Sequence, residues 1–299
     1  MKKYDIKNKQ KYIYYIVIAI VLVLQLVFNS NDDNIKNHNS GKLVVDFIDV
    51  GQGDSILIKS LDGTTMLIDA GDNSEENRIV QYLKDQGIQK LDYVVGTHPH
   101  ADHIGGLDAV IENFDIEQIY MPKKSHTTKT FKDVLIAVKN KGYTIQTAKA
   151  GVEFELEPGI HIQMIGPIEN SYEEMNNYSA VIRLSYDDVS FLFTGDAEKI
   201  SEYEMLESQY PLKSTVLKVG HHGSVTSTTE EFLQEVAPQY AVIFSRKNND
   251  YGHPHKETIE KLDNANIEYY NTQISGTIRA ITDGQTIEWI EEGSSRYSK

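Results

Sequence analysis

Apolar positions come first as one run, from Tyr12 to Phe28, interrupted only by Gln25. As a helix at about 1.5 Å per residue, that run spans about 25 Å, the short end of what a bilayer requires. Beyond residue 42 the pattern changes to short β-branched runs alternating with stretches of helical spacing. Leu43–Asp49, Ser55–Lys59 and Thr65–Asp69 predict strands, with Asp62-Gly63 as a hairpin turn. Asn73–Asp85 predicts a helix, Leu91–Gly96 a strand, His103–Asn113 a helix, Ile116–Met121 a strand and Thr130–Asn140 a helix. From 152 to 195 the pattern is of strands, Ala180–Tyr186 pairing with Ser190–Thr194 through Asp187-Asp188. Helices over Ala197–Ser208, Thr229–Val236 and His255–Asn264 then alternate with strands over Thr215–Val219 and Tyr240–Ser245. Short strands near 267–271, 276–281 and 286–290 close the chain. No repeat of fixed period is present. Two halves of strands plus helices predict an α/β sandwich of two mixed sheets with helices outside.

Charge divides the chain in the same place. The 299 residues carry a formal net charge of -15. Residues 1–40 hold six Lys and three Asp, and the remainder holds 23 basic against 41 acidic residues. Five lysines lie between Lys2 and Lys11, and Tyr12, Tyr14 and Tyr15 sit where an aromatic belt is expected. The reading is a cytoplasmic basic tail (1–11), a transmembrane signal anchor (12–28), a polar linker (29–41), an extracytoplasmic domain (42–292) and a tail (293–299). A cleaved signal peptide and secretion is the rival, but Phe28-Asn29-Ser30-Asn31 lacks a small-x-small site. The acidic balance excludes a protein that neutralises phosphates with a broad basic surface. The absence of Cys excludes disulfide scaffolds, thiolate zinc sites and cysteine nucleophiles.

Thr97-His98-Pro99-His100-Ala101-Asp102-His103 follows a strand and opens a helix. Three imidazoles and a carboxylate in six residues cost desolvation and repulsion unless something binds them. Neutral imidazole and carboxylate suit zinc and manganese. Two further His clusters, His221-His222 and His253-Pro254-His255, also lie just past strands. Three clusters at three strand ends describe a site on one sheet edge. For His253 and His255, a helix cap or a supporting contact is as good a reading as direct contact with substrate. Asp69 and Asp196 end strands beside glycines, a place common for caps and turns. The ligand reading holds for Asp196 because the His clusters need a bridging carboxylate.

His98-x-His100-x-Asp102-His103-x-Gly105-Gly106 resembles the signature of the metallo-β-lactamase superfamily. The array Asp49-Val50-Gly51-Gln52-Gly53-Asp54, Ile68-Asp69-Ala70-Gly71, Thr194-Gly195-Asp196, Gly220-His221-His222-Gly223-Ser224 and Tyr251-Gly252-His253-Pro254-His255 is similar to one branch. That branch is the extracytoplasmic domain of ComEC-type DNA-uptake competence proteins and their stand-alone relatives. The resemblance covers about 43 to 290 and implies an αββα fold with one or two divalent metal ions, zinc or manganese, at the sheet edge. By analogy His98 and His100 hold one metal, Asp102, His103 and His221 a second, and Asp196 bridges them. It implies that Asp69 orients the histidine loop. Asp54, Asn177, Ser179, Ser224 and His255 are expected to support the ligands or face the substrate, and Asp102, His222 and His253 to serve catalysis. The implied chemistry is water activated between cations and in-line displacement at phosphorus.

The sequence departs from the fullest superfamily pattern. A further His ligand is expected between the first motif and Asp196, and only His126 and His161 are candidates; Asn176-Asn177-Tyr178-Ser179-Ala180-Val181 stands in the corresponding stretch. The choice between His221 and His222 as ligand stays open, with superfamily likeness favouring His221 and leaving His222 as a proton donor. Residues 121–149 hold seven Lys and one acid, Asp133, either a solvated helix face or a local attraction for an anionic polymer. The function expected is a membrane-anchored metallohydrolase acting on phosphodiesters, in nucleic acid or a wall polymer. The alternatives are an acyl or lactone hydrolase, or a non-catalytic accessory module of a wall or DNA-uptake complex. One anchor cannot conduct DNA by itself.

Overall fold

In strand β1 (Leu43–Phe47), Leu43, Val45 and Phe47 enter one core while Val44 and Asp46 lie on the opposite face, and all five are buried. β2 (Ile56–Lys59) sends Ile56 and Ile58 to that core and Leu57 to another. β3 (Thr65–Ile68) divides Met66 and Ile68 from Leu67 in the same way. Alternation with both faces apolar belongs to strands covered on both sides.

A computed structural model of the chain describes Tyr15 and residues 41–293. The expected basic tail, most of the apolar run 12–28, the linker up to residue 40 and residues 294–299 lie outside the described residues. The described residues from 42 onward form one unit by themselves. Among the described residues, no helix is long and apolar enough to cross a membrane.

The further strands are β4 (Lys90–Val95), β5 (Asp115–Met121), β6 (Ile145–Thr147), β7 (Glu153–Glu157), β8 (Ile160–Gly166), β9 (Val181–Tyr186) and β10 (Val189–Phe193). β11 (Val216–Lys218), β12 (Tyr240–Ile243), β13 (Glu268–Asn271), β14 (Ile278–Thr282) and β15 (Ile287–Glu291) complete the set. One sheet runs β15-β14-β1-β2-β3-β4-β5-β6 and the other β13-β12-β11-β10-β9-β8-β7. β3 to β6 are mutually parallel, as are β10 to β13.

Three apolar layers hold these elements. The first joins the two sheets through residues such as Phe47, Met66, Phe191 and Phe244. The second seats the helices Glu76–Asp85, Leu107–Asn113 and Lys129–Lys141 on the first sheet through Leu83, Ile111 and Val134. The third seats Lys199–Glu207, Glu230–Val236 and Lys256–Asn264 on the second sheet through Met205, Phe232 and Leu262. The layer order is helix, sheet, sheet, helix, the αββα arrangement expected.

The structure differs from the pattern in two places that matter. The helix expected over His103–Asn113 is two pieces, Ala101–Ile104 and Leu107–Asn113, divided at Gly105-Gly106. A Cβ on Gly105 would lie 2.2 Å from the Asn73 nitrogen and 2.4 Å from the Asp72 carbonyl carbon, so the chain after β3 passes too close for any side chain. The three-residue β6 leaves no readable pattern, since Ile145-Gln146-Thr147 offers one apolar residue.

The lysine-rich segment is spread rather than gathered. Its helix, Lys129–Lys141, turns Phe131, Val134 and Ala137 inward and leaves Lys132 and Lys139 exposed. Lys124 donates to the Tyr178 hydroxyl at 3.1 Å.

Candidate metal centre

Parallel strands end in phase, so the loops at their carboxyl ends meet at one edge. Asp69 follows β3, and Thr97 and His98 follow β4. Asp196 follows β10, His221-His222 follow β11, and His253 lies in the loop after β12. Asp54 comes from the β1–β2 loop, where its backbone N–H donates to the Asp102 carbonyl at 3.2 Å and its carbonyl accepts from Gly71 at 2.9 Å.

Asp69 is the first organiser. Its Oδ1 accepts from the Thr97 N–H at 2.7 Å, and its Oδ2 accepts from the Thr97 hydroxyl at 2.6 Å. The same Oδ2 is 2.7 Å from His103 Nδ1. A hydrogen bond from Nδ1 fixes the tautomer of the neutral ring, so that its lone pair is on Nε2, which faces the other way. That Nε2 lies 3.2 Å from Asp196 Oδ2 and 4.0 Å from Asp102 Oδ2. His222 Nε2 lies 3.4 Å from Asp196 Oδ2 and 3.3 Å from Asp102 Oδ2. Ligand atoms arranged tetrahedrally at about 2.0–2.1 Å from zinc stand about 3.4 Å from each other. Asp54, His103, Asp196 and His222 likewise offer atoms all within 4.8 Å of one another.

The donors fit a divalent cation on a second count. His103 Nε2, both ring nitrogens of His222, Asp196 Oδ1 and Asp54 Oδ1 are buried without a hydrogen-bond partner. Buried polar atoms of this kind carry a desolvation cost that a cation removes.

The electrostatics agree. Burial opposes the charge on Asp196 and Asp102, but His103 and His222 outweigh it and hold both carboxyls below the usual range. Burial lowers His222, yet Asp196, Asp102 and Asp54 lift it to about 9. Burial also works against charge on His103, and Asp196, Asp69 and Asp54 raise it well above the ordinary value. A metal needs neutral imidazole, so below about pH 9 it has to displace the His222 proton. Zinc affinity is therefore expected to rise with pH between 6 and 9, by roughly tenfold per unit for each proton released. Competition against a chelator across that range checks this, and a flat profile contradicts it.

His98 and His100 form a neighbouring pair. His98 Nε2 and His100 Nδ1 share a hydrogen bond at 3.0 Å, and His98 Nε2 is 4.0 Å from Asp196 Oδ2. Burial, then the charge of His103, keeps His98 well below its ordinary value; burial lowers His100 as well. Ser179 Oγ is 3.4 Å from His98 Nδ1 and accepts from the Asp196 N–H at 3.0 Å. His126 lies with its ring 6.1 Å from that of His100. His161 does not approach; it pairs with Glu155 on β7 at 3.2 Å, and both are exposed.

The two adjacent histidines diverge. His221 and His222 both have left-handed backbones, φ 47° and 55°. That turn sends the His222 ring inward, where it is buried, and the His221 ring to the rim. His221 Nδ1 contacts Thr226 Oγ1 at 3.1 Å and Glu198 Oε1 at 3.3 Å, while its Nε2 stays 3.8 Å from Asp196. The geometry thus gathers His222, rather than His221, with Asp102, His103 and Asp196, against the preference drawn from the superfamily likeness.

The remaining predicted residues divide between rim and support. His253 stacks against Tyr251 with ring centroids 5.6 Å apart, and its Nδ1 is buried without a partner. Burial, then His222 and His221, lowers His253 to about 4. His255 caps the helix Lys256–Asn264, and its Nδ1 accepts from the Val225 N–H at 3.0 Å. Asn177 Oδ1 accepts from the N–H groups of Glu198 and Ser201, which ties down the start of the helix Lys199–Glu207. Ser224 Oγ accepts from the Thr226 N–H within its own loop. Neither Asn177 nor Ser224 is brought to the four-atom group. A cavity of 290 Å³ opens on the centre, lined by His100, Asp102, His222, His253, Asn176 and Gln52 among others.

Sequence reasoning missed Lys218, Glu198 and Thr97 as site residues. Thr97 and Glu198 carry no signal beyond their position. Lys218 has one: a lysine at the end of the apolar strand β11 needs a buried partner.

Comparison with known proteins follows the same outline. The chain is 32% identical over 252 residues to ComE operon protein 3 of Bacillus subtilis (strain 168), covering 79% of this chain and 32% of that protein. It is 31% identical over 260 residues to Recombination protein 2 of Haemophilus influenzae, covering 85% of this chain and 30% of that protein. The chain thus spans about a third of the length of these curated relatives. The crystal structure of CmlA, a diiron beta-hydroxylase from Streptomyces venezuelae, superposes with a TM-score of 0.54 at 11% identity, covering 84% of this chain and 54% of CmlA, a likeness of fold alone. Residues 48–245 match the Metallo-beta-lactamase superfamily, a span that runs from the Asp54 loop through His222. More than half of the sequence lies in that match, and the chain belongs to the metallo-β-lactamase superfamily.

Proposed function

We propose that this chain is a metal-dependent phosphodiesterase or nuclease, anchored in a membrane by residues 12–28 with its domain outside the cytoplasm. The observation that carries the reading is the convergence of Asp102, His103, Asp196 and His222 at 3.2–4.0 Å beside an open cavity. A zinc or manganese ion held there supplies Lewis-acid charge for hydrolysis. The chain's own residues then hold and orient. Asp69 fixes the His103 ring, and Asp54, whose Oδ1 is 3.4 Å from His222 Nδ1, steadies His222. His98 and His100 flank the centre on the side of Asp196 Oδ2. His253 offers a buried ring nitrogen to a substrate oxygen.

The cavity wall is mainly polar, which favours a polar substrate over an apolar acyl or lactone ring. The name of one relative, Recombination protein 2, supports nucleic acid as the phosphodiester. The acidic balance of the chain is compatible with this, because a cation held by His103, His222, Asp102 and Asp196 would supply the positive charge that a phosphate needs.

A substrate panel tests this. The purified chain, loaded with zinc or manganese, is expected to hydrolyse bis(p-nitrophenyl) phosphate and at least one of DNA, RNA or phosphocholine esters. Preferential turnover of nitrocefin or a lactone overturns the assignment. Metal binding with no turnover at all makes the domain an accessory module.

A further inference from the structure

Lys218 is the last residue of β11 and is wholly buried. Phe193 and Val242 flank it in register. An ammonium cut off from water has to be held by protein groups, and an unpaired one is too costly to keep. Its Nζ lies 2.5 Å from Asp54 Oδ2, 2.6 Å from the Gly195 carbonyl and 3.6 Å from Asp196 Oδ1. Two of its three N–H donors therefore serve Asp54 and Gly195, and the third faces Asp196.

This arrangement divides the two oxygens of Asp196. Oδ2 faces the imidazoles of His103 and His222 at 3.2 and 3.4 Å. Oδ1 faces the ammonium. A carboxylate that bridges two metal ions has to serve both, and here one of its oxygens is turned to a lysine. A second ion beside His98 and His100 has those two imidazoles and only a share of Oδ2.

We propose that the Lys218 ammonium is the built-in second cation of this centre, holding Asp54 Oδ2 and Asp196 Oδ1 and leaving one tight metal position among Asp102, His103, His222 and Asp196 Oδ2. Lys218 is thus a positioning residue. It sets which oxygens reach the metal and, through Asp54, steadies His222. The inference rests on the metal reading above and is independent of the substrate.

Metal stoichiometry tests it without any substrate. The purified full-length chain is stripped with a chelator, titrated with Co²⁺ and followed by visible absorbance. Bound metal is counted after dialysis. The wild type is expected to take one tight equivalent. Lys218→Met is expected to bind a second equivalent at least about tenfold more tightly than the wild type does. Lys218→Arg, which keeps the charge, stays at one. Two equivalents of similar affinity in the wild type overturn the proposal, and loss of one of them in His126→Ala would identify the extra ligand. An unchanged single equivalent in a folded Lys218→Met also overturns it. Where Lys218→Met does not fold, the wild-type stoichiometry decides. No bound metal at all overturns both this proposal and the function above. One bound equivalent without phosphodiester hydrolysis overturns only the function.

Discussion

His222→Ala is expected to lose both its metal and its phosphodiester hydrolysis, while His221→Ala retains the metal. His222 Nε2 stands between Asp102 and Asp196 at 3.3 and 3.4 Å, in a buried position. Removing it leaves two carboxylates and one imidazole around an ion that needs at least one further donor. The loss of Lewis-acid charge stabilisation is worth several kcal/mol, so kcat is expected to fall on the order of 10³-fold. His221 lies at the rim against Glu198 and Thr226, and its loss leaves the four-atom group intact. Its replacement is expected to leave metal content unchanged and to lower kcat by a smaller factor. Metal analysis of both variants, beside rates on bis(p-nitrophenyl) phosphate, separates the two histidines. Equal metal loss in His221→Ala would mean that the two rings exchange places.

The second large effect is expected at a glycine, Gly53, which adjoins Asp54 and packs against the Asp102 backbone. Gly53→Ala places a Cβ 2.1 Å from the Asp102 carbonyl oxygen, at a backbone φ of +134°. The struck atom is backbone, so no rotamer change relieves the clash, and the Asp102 turn has to move. A strained φ alone costs about 1–3 kcal/mol, and the steric conflict adds to it. Denaturant unfolding is expected to show a loss of about 3 kcal/mol or more. Metal affinity is expected to fall at least about tenfold, because Asp102 is displaced from the centre. Gly63→Ala is the control. It has a comparable positive φ, +94°, and open space around its Cβ. Its expected cost is about 1 kcal/mol, with metal binding untouched. If the two variants match in stability and in metal affinity, the close approach of Gly53 to Asp102 is not what the first motif provides.

Most strands were legible because their period is two and their length exceeds the noise of single residues. The strands read as Leu43–Asp49, Ser55–Lys59 and Thr65–Asp69 are β1, β2 and β3, each found one or two residues shorter. β6 was not, since Ile145-Gln146-Thr147 offers one apolar residue and none of it is buried, whereas the equally short β11 carries an apolar Val216-Leu217. The split helix after His103 escaped because Gly105 is needed by a neighbour brought close in space, the chain at Asp72-Asn73, and not by its own turn. His98, His100, Asp102 and His103 stood out as a dense group after a strand. Asp54 was legible only as part of a motif, and its tie to Asp102 and Lys218 depends on loops that meet only in the folded chain.

The sequence by itself determined the residue types available for chemistry and the strand ends that would carry them. With no Cys in the chain, any metal centre has to use imidazole and carboxylate. The alternation of apolar positions required two covered sheets. Only the tertiary structure decided which of these groups meet. Two adjacent histidines have the same chemistry and nearly the same sequence context, but left-handed backbone angles at both turn one ring inward and the other to the rim. Lys218 shows in the sequence only as a lysine ending an apolar strand, and its partners, Asp54 and Asp196, are fixed when the strands and loops around β11 come together. Local pattern reports what a residue is. Its partners are set by the packing of distant segments, and the opposite charges that meet there outweigh the cost of burying them.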